Sequence, residues 1–128
     1  MKGPEEEKAK APLLHSGGNK EMEFLMQLEK AVETHLGSQD FSIPDLCSEM
    51  GLSRSQIHRK LKKLTGVSTS AYIRSIRMQK AIELLLDSTL PISEIAFKVG
   101  FRDPSYFTRL FTKMYGVPPG EYRKGGGE

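Results

Sequence analysis

Cysteine is almost missing from this chain: of 128 residues only Cys47 carries a thiol, so no disulfide can form within it, and a reducing compartment is the natural setting. Tryptophan is absent and aromatics make up 8%. No apolar run approaches the 18 or more residues a membrane-spanning helix needs, and no signal-peptide pattern opens the chain, so neither insertion nor secretion is expected. The three histidines, His15, His35 and His58, have no Cys or His neighbour at metal-ligand spacing. No Ser/His/Asp or Cys/His set, no phosphate-cradling glycine loop and no acid pair in an evident cleft argues for an enzyme. Hydrophobic content of 38% and a mean hydropathy of −0.42 are ordinary for one globular domain.

What is present is a repeat. Ile43–Leu52 matches Ile92–Phe101 at an offset of 49, and Ile57–Val67 matches Phe107–Val117 at an offset of 50, with Tyr72 and Tyr122 paired on the second offset. The extra residue falls between two short helices, where a loop absorbs it. Each copy reads as helix, turn, helix. Ser42 with Asp45 and Ser53 with Gln56 form capping-box patterns; Asp103 followed by Pro104 starts the later helix; Gly51, Gly66, Gly100 and Gly116 are stops.

Between the copies lies a stretch with no Gly or Pro, Ser70–Ser88, which Ser68 or Ser70 can cap. Ten of the seventeen residues from Ala71 to Asp87 are apolar, too many for one stripe. Ala71, Met78, Ala81, Ile82, Leu85 and Leu86 fall on one side and Tyr72, Ile73, Ile76 and Leu84 on the other, as a connector between two packed units requires. Upstream, Asn19 can cap a helix whose stripe is Met22, Leu25, Leu28 or Glu29, Val32 and Leu36.

Charge is uneven. Residues 1–40 hold five Lys and eight acids, whereas residues 41–128 hold fourteen basic and eight acidic side chains. Arg54 to Lys63 contains five Lys or Arg and no acid, on the second helix of the first copy, which favours phosphate attraction over a merely solvated face.

These motifs carry a resemblance. Leu52–Gly66, Tyr72–Arg77 with Ala81 and Leu84-Leu85, Ile92–Phe111 and Gly116–Arg123 together resemble the DNA-binding domain of the AraC/XylS family, over about Phe24 to Arg123. The resemblance implies an all-α fold of about seven helices, two helix-turn-helix subdomains joined by a long connecting helix. The expected divisions are a disordered linker or leader over 1–19, the DNA-binding domain over 20–123 (helix-turn-helix units near 42–65 and 91–115, connecting helix near 69–88), and a flexible tail over 124–128. The implied function is sequence-specific binding to double-stranded DNA by two recognition helices in successive major-groove segments, regulating bacterial transcription, more often by activation through RNA polymerase. No cofactor and no metal are implied. The setting is cytoplasmic and nucleoid-associated; the isolated domain is expected to be monomeric, with any dimerisation left to another domain. The motif wording is closest to output domains of response regulators and hybrid two-component sensors, so a C-terminal part of a larger regulator is favoured over a free-standing activator.

Side-chain chemistry assigns the contacts. Ser55, His58, Arg59 and Lys62 form one polar stripe opposite Ile57, Leu61 and Leu64. Arginine binds guanine O6 and N7 bidentately, and Gln56 or His58 reaches base edges with shorter arms. The family positions carry base contacts to Ser55, His58 and Arg59, with Gln56 and Lys62 beside them, and to Ser105, Tyr106 and Arg109 on the second helix. Ser53, Arg54, Lys60, Lys63, Arg102, Thr108, Thr112 and Lys113 are phosphate candidates. The first helix, richer in charge, is expected to supply more of the base readout.

A connector of about 18 residues spans roughly 27 Å, near the ~34 Å between successive major-groove segments on one face; bending of the DNA would make up any shortfall. Cys47 is expected in the core, and Arg77 to form a structural ion pair with Glu83 or Glu94. A helical protein-interaction module without specific DNA binding is the remaining alternative.

Overall fold

A computed structural model of the chain describes residues 18–125; residues 1–17 of the leader expected over 1–19, and the last residues of the tail, 126–128, lie outside them. Seven α-helices and no strand occur among the described residues: α1 (Gly18–Thr34), α2 (Ile43–Met50), α3 (Arg54–Thr65), α4 (Thr69–Asp87), α5 (Ile92–Lys98), α6 (Pro104–Tyr115) and α7 (Pro119–Lys124). The chain divides into two units, residues 18–34 with 42–73, and residues 35–41 with 74–125. The division falls inside α4 after Ile73, nearer its start than the apolar pattern implied.

In the first unit α1 buries Phe24, Leu25, Leu28, Ala31 and Val32, a stripe at helical spacing that packs on α2. It begins at Gly18, so Asn19 lies inside it and not before it. The capping box of α2 is present: Asp45 N donates to Ser42 Oγ at 3.4 Å and Ser42 N to Asp45 Oδ2 at 2.9 Å. The same arrangement starts α3, where Gln56 N donates to Ser53 Oγ at 3.1 Å and Ser53 N to Gln56 Oε1 at 2.8 Å. Gly51, in the left-handed region at φ 68°, turns the chain between the two helices and donates its N–H to Cys47 O at 2.8 Å. Leu46, Ile57 and Leu61 are wholly buried. Cys47 is only half-buried, because Leu46 takes the inward position of α2.

The second unit is built on aromatic packing. Met78, Ala81 and Leu85 of α4 meet Ile95 and Ala96 of α5, Val99 just after it, Phe101, and Phe107 and Phe111 of α6. Ring centroids lie 5.3 Å apart for Phe101 and Phe107, 5.9 Å for Phe107 and Phe111, and 5.5 Å for Phe111 and Tyr122. Burying each Phe contributes about 1.5–3 kcal/mol. Leu84, expected on the opposite side of α4, packs against this core, while Leu86 is exposed. The last turn of α4 therefore presents a narrower stripe than its composition suggested. Arg123 ties α7 to the end of α4, donating from Nε to Leu85 O at 3.0 Å and from Nη2 to Ser88 O at 3.2 Å.

The repeat reappears as burial: Leu46 and Ile95, Ile57 and Phe107, and Leu61 and Phe111 are paired by the offsets and are all fully inside.

Arg77 is structural, but its partners are carbonyls and not carboxylates. It is buried and donates from Nη1 to Val99 O at 2.8 Å and to Leu36 O at 3.0 Å. Burial lowers its pKa from the ordinary arginine value. The guanidinium fits because residue 100 has no Cβ. One added there would lie 1.5 Å from Arg77 Nη1, and Gly100 holds φ +99°, a left-handed conformation that favours glycine.

Candidate nucleic-acid interface

α3 sorts its residues by chemistry. Ile57 and Leu61 turn fully inward, and Ser53, Arg54, Ser55, Gln56, His58, Arg59, Lys60, Lys62 and Lys63 are all exposed. The capped start fixes where the first turn begins, so the outward stripe Ser55, His58, Arg59 and Lys62 shares one face. No acid interrupts it.

Several of these groups already have local work. Gln56 Oε1 accepts the Ser53 N–H of the capping box, which leaves its amide NH2 as the free end. Lys62 Nζ donates to Gly66 O at 3.2 Å across the C-terminus of α3. Lys60 Nζ stands 5.6 Å from the centroid of the Phe24 ring, a cation–π contact with α1.

α6 repeats the plan with fewer charges. Asp103 caps it by accepting Ser105 N at 2.9 Å. Ser105, Tyr106, Arg109 and Lys113 are exposed, opposite the buried Phe107 and Phe111. Tyr106 keeps 42% of its surface exposed, with its ring tilted against Phe101 at 6.1 Å. Thr108 and Thr112 are half-buried, and the Thr112 hydroxyl donates to Thr108 O at 2.7 Å. Arg102, just before the cap, forms a salt bridge with Asp40 and also donates to Gln39 O at 3.4 Å. A phosphate there would have to share or displace the Asp40 carboxylate.

One feature of this surface escaped the sequence reading. Ser68 and Ser70, which the sequence marks only as possible caps, line a depression together with Thr69, Ile43 of α2, and Arg54, Ser55 and His58 of α3. The cap is Ser68, whose Oγ accepts Ala71 N at 3.2 Å. Among the described residues no group of three His, Cys, Asp or Glu is placed to hold a metal, and no helix is long and apolar enough to cross a membrane.

Comparison with known proteins agrees with this arrangement. A family profile described as a helix-turn-helix domain matches residues 46–125. "Histidine kinase P4" of Formosa agariphila is 31% identical over 101 residues, covering 79% of this chain and 7% of its own length. The C-terminal domain of AraT, a response regulator from Geobacillus stearothermophilus, superposes with a TM-score of 0.71 at 33% identity, covering 79% of this chain and 84% of that one. The DNA-binding domain of AdpA, described as a global transcriptional factor and solved in complex with a target DNA, gives a TM-score of 0.71 at 27% identity, covering 79% and 90%. The chain spans between 7% and 36% of the length of Histidine kinase P4 and other curated relatives, several of them named as transcriptional activators. Two helix-turn-helix units, a shared helix running from one into the other, and a match over most of the described residues have one reading: the chain belongs to the AraC/XylS family, as a helix-turn-helix domain of the AraC type.

Proposed function

We propose that this domain binds specific double-stranded DNA, with α3 and α6 entering successive major-groove segments, and thereby regulates transcription. The observation that carries the reading is the face of α3: a capped helix with Ile57 and Leu61 fully buried and eight polar or basic residues, from Arg54 to Lys63, exposed without an acid. A relative of the same fold solved with a target DNA supports it.

In this reading Ser55, Gln56, His58, Arg59 and Lys62 of α3, and Ser105, Tyr106 and Arg109 of α6, touch base edges, with arginine the principal guanine reader. Ser53, Arg54, Lys60, Lys63, Arg102, Thr108, Thr112 and Lys113 hold phosphates and set register. α3 supplies more of the discrimination, since α6 offers fewer charged arms. The proposal extends to a DNA-binding output domain of a longer regulator, acting with RNA polymerase.

Fluorescence anisotropy with duplexes selected from a random pool tests it. Binding should be selective for the enriched sequence, and its log affinity should fall linearly with log salt. Indifference to both sequence and salt would instead favour a protein-interaction module.

A further inference from the structure

The start of α4 lies beside the N-terminal half of α3. Between them is the open depression lined by Arg54, Ser55 and His58 from α3, by Ser68, Thr69 and Ser70 at the start of α4 and by Ile43 of α2, with no carboxylate among its walls. α4 is 19 residues long, so its N-terminus carries a partial positive charge. Ser68 satisfies the N–H of Ala71. The N–H groups of Thr69 and Ser70, the first two of the helix, have no acceptor within it.

A second, independent observation points to the same spot. Thr69 is 5% exposed, and its Oγ1 is buried without a hydrogen-bond partner among the described residues. Buried hydroxyls are nearly always satisfied, so an orphan beside two open N–H groups asks for an acceptor. Threonine in a helix divides between two χ1 wells, so the hydroxyl can swing to an incoming oxygen without backbone movement.

The second repeat lacks this chemistry. At the matching offset of 50, Ser68, Thr69, Ser70 and Ala71 are replaced by Pro118, Pro119, Gly120 and Glu121. One of the two open N–H groups, that of residue 69, and all three hydroxyls disappear, and an acid arrives.

We propose that one backbone phosphate of the bound DNA seats in this depression, its oxygens taken by the N–H groups of Thr69 and Ser70, their hydroxyls and the Arg54 guanidinium. No acid lines the site, its polar walls all carry donors, and a phosphodiester is an acceptor-only anion. The contact anchors the depth of α3 in the groove and has no counterpart in the second unit. It rests on the DNA-binding reading above.

The test pairs protein variants with duplexes that each carry one neutral methylphosphonate in place of a phosphate. Thr69→Val and Ser70→Ala should each weaken anisotropy-measured binding by about tenfold, equally for selected and scrambled duplexes, as loss of one hydrogen bond to a charged group implies. At a single methylphosphonate position the unsubstituted protein should lose about as much while the variants lose little more. The melting temperature of Thr69→Val should hold or rise, because its hydroxyl had no partner. Ser70→Ala, at an exposed position, carries the same test should the valine variant fail to fold. Unchanged affinity in both variants, or losses that add at every methylphosphonate position, would overturn the cradle. If the unsubstituted chain binds no duplex, the DNA-binding reading falls first and the cradle with it.

Discussion

Gly100→Ala should be among the most damaging single-methyl changes in the protein. The added Cβ would sit 1.5 Å from Arg77 Nη1 and 2.6 Å from Leu36 O, so the guanidinium must leave. Its departure breaks the bonds to Val99 O at 2.8 Å and Leu36 O at 3.0 Å. Each hydrogen bond to a charged group contributes about 1.5–3 kcal/mol, and the left-handed backbone costs a residue with a Cβ about 1–2 kcal/mol. The total is about 4–8 kcal/mol, set against whole-domain stabilities of about 5–15 kcal/mol. Arg77→Met removes the same two bonds while keeping much of the packing volume, and should cost about 3–6 kcal/mol. Because both act through the Arg77 contact, Gly100→Ala added to Arg77→Met should cost only the backbone term and the close approach to Leu36 O, less than Gly100→Ala alone. Urea unfolding followed by circular dichroism measures the cycle, with an expected coupling of about 3–6 kcal/mol, the cost of the two shared hydrogen bonds. Additivity of the two changes within about 0.5 kcal/mol would refute the reasoning.

Other outcomes follow from the surface and the tyrosines. Arg54→Gln and Lys63→Gln should each lower the slope of log affinity against log salt by about 0.9 and weaken all sequences alike; loss confined to one sequence would contradict their placement at phosphates. Asp40→Asn releases the Arg102 guanidinium from its carboxylate, so DNA affinity and the salt slope should both increase, and an unchanged slope would show that Arg102 never meets a phosphate. Burial, then the neighbouring Tyr122, raises the Tyr115 pKa above its ordinary 10.0, and burial, then Glu29, does the same for Tyr72. The folded chain thus holds protons the unfolded chain releases. The stability from these groups is complete below about pH 10 and is lost as pH rises above that value. Tyr115→Phe should flatten the alkaline decline seen in melting temperature against pH.

The elements that local chemistry specifies were legible in the sequence. Ser42 with Asp45 and Ser53 with Gln56 are pairs three residues apart, and both form the capping boxes their spacing implied. The offsets of 49 and 50 correctly paired Leu46 with Ile95 and Ile57 with Phe107, because burial in each unit follows the same helical period. Contacts between distant parts of the chain were not legible. Arg77 was paired with Glu83 or Glu94 on charge alone, whereas carbonyls 41 and 22 residues away hold it. The bridge from Arg102 to Asp40, 62 residues apart, left no periodic trace. Residues 35–41 belong to the second unit, although Leu36 reads by period as the end of the first helix's stripe. At the interface, exposure agreed with the polar stripes, but the Lys60 contact with Phe24 and the orphan hydroxyl of Thr69 depend on tertiary placement that spacing does not encode.

The central claim is that one chain reads two separate blocks of DNA, one with α3 and one with α6. Selection from random duplexes by the unsubstituted protein, Arg59→Ala and Arg109→Ala tests it directly. The expected result is an asymmetric site of two blocks centred about 10–10.5 base pairs apart, with Arg59→Ala flattening one block and Arg109→Ala the other. A single block, or the same block lost in both variants, would contradict the account.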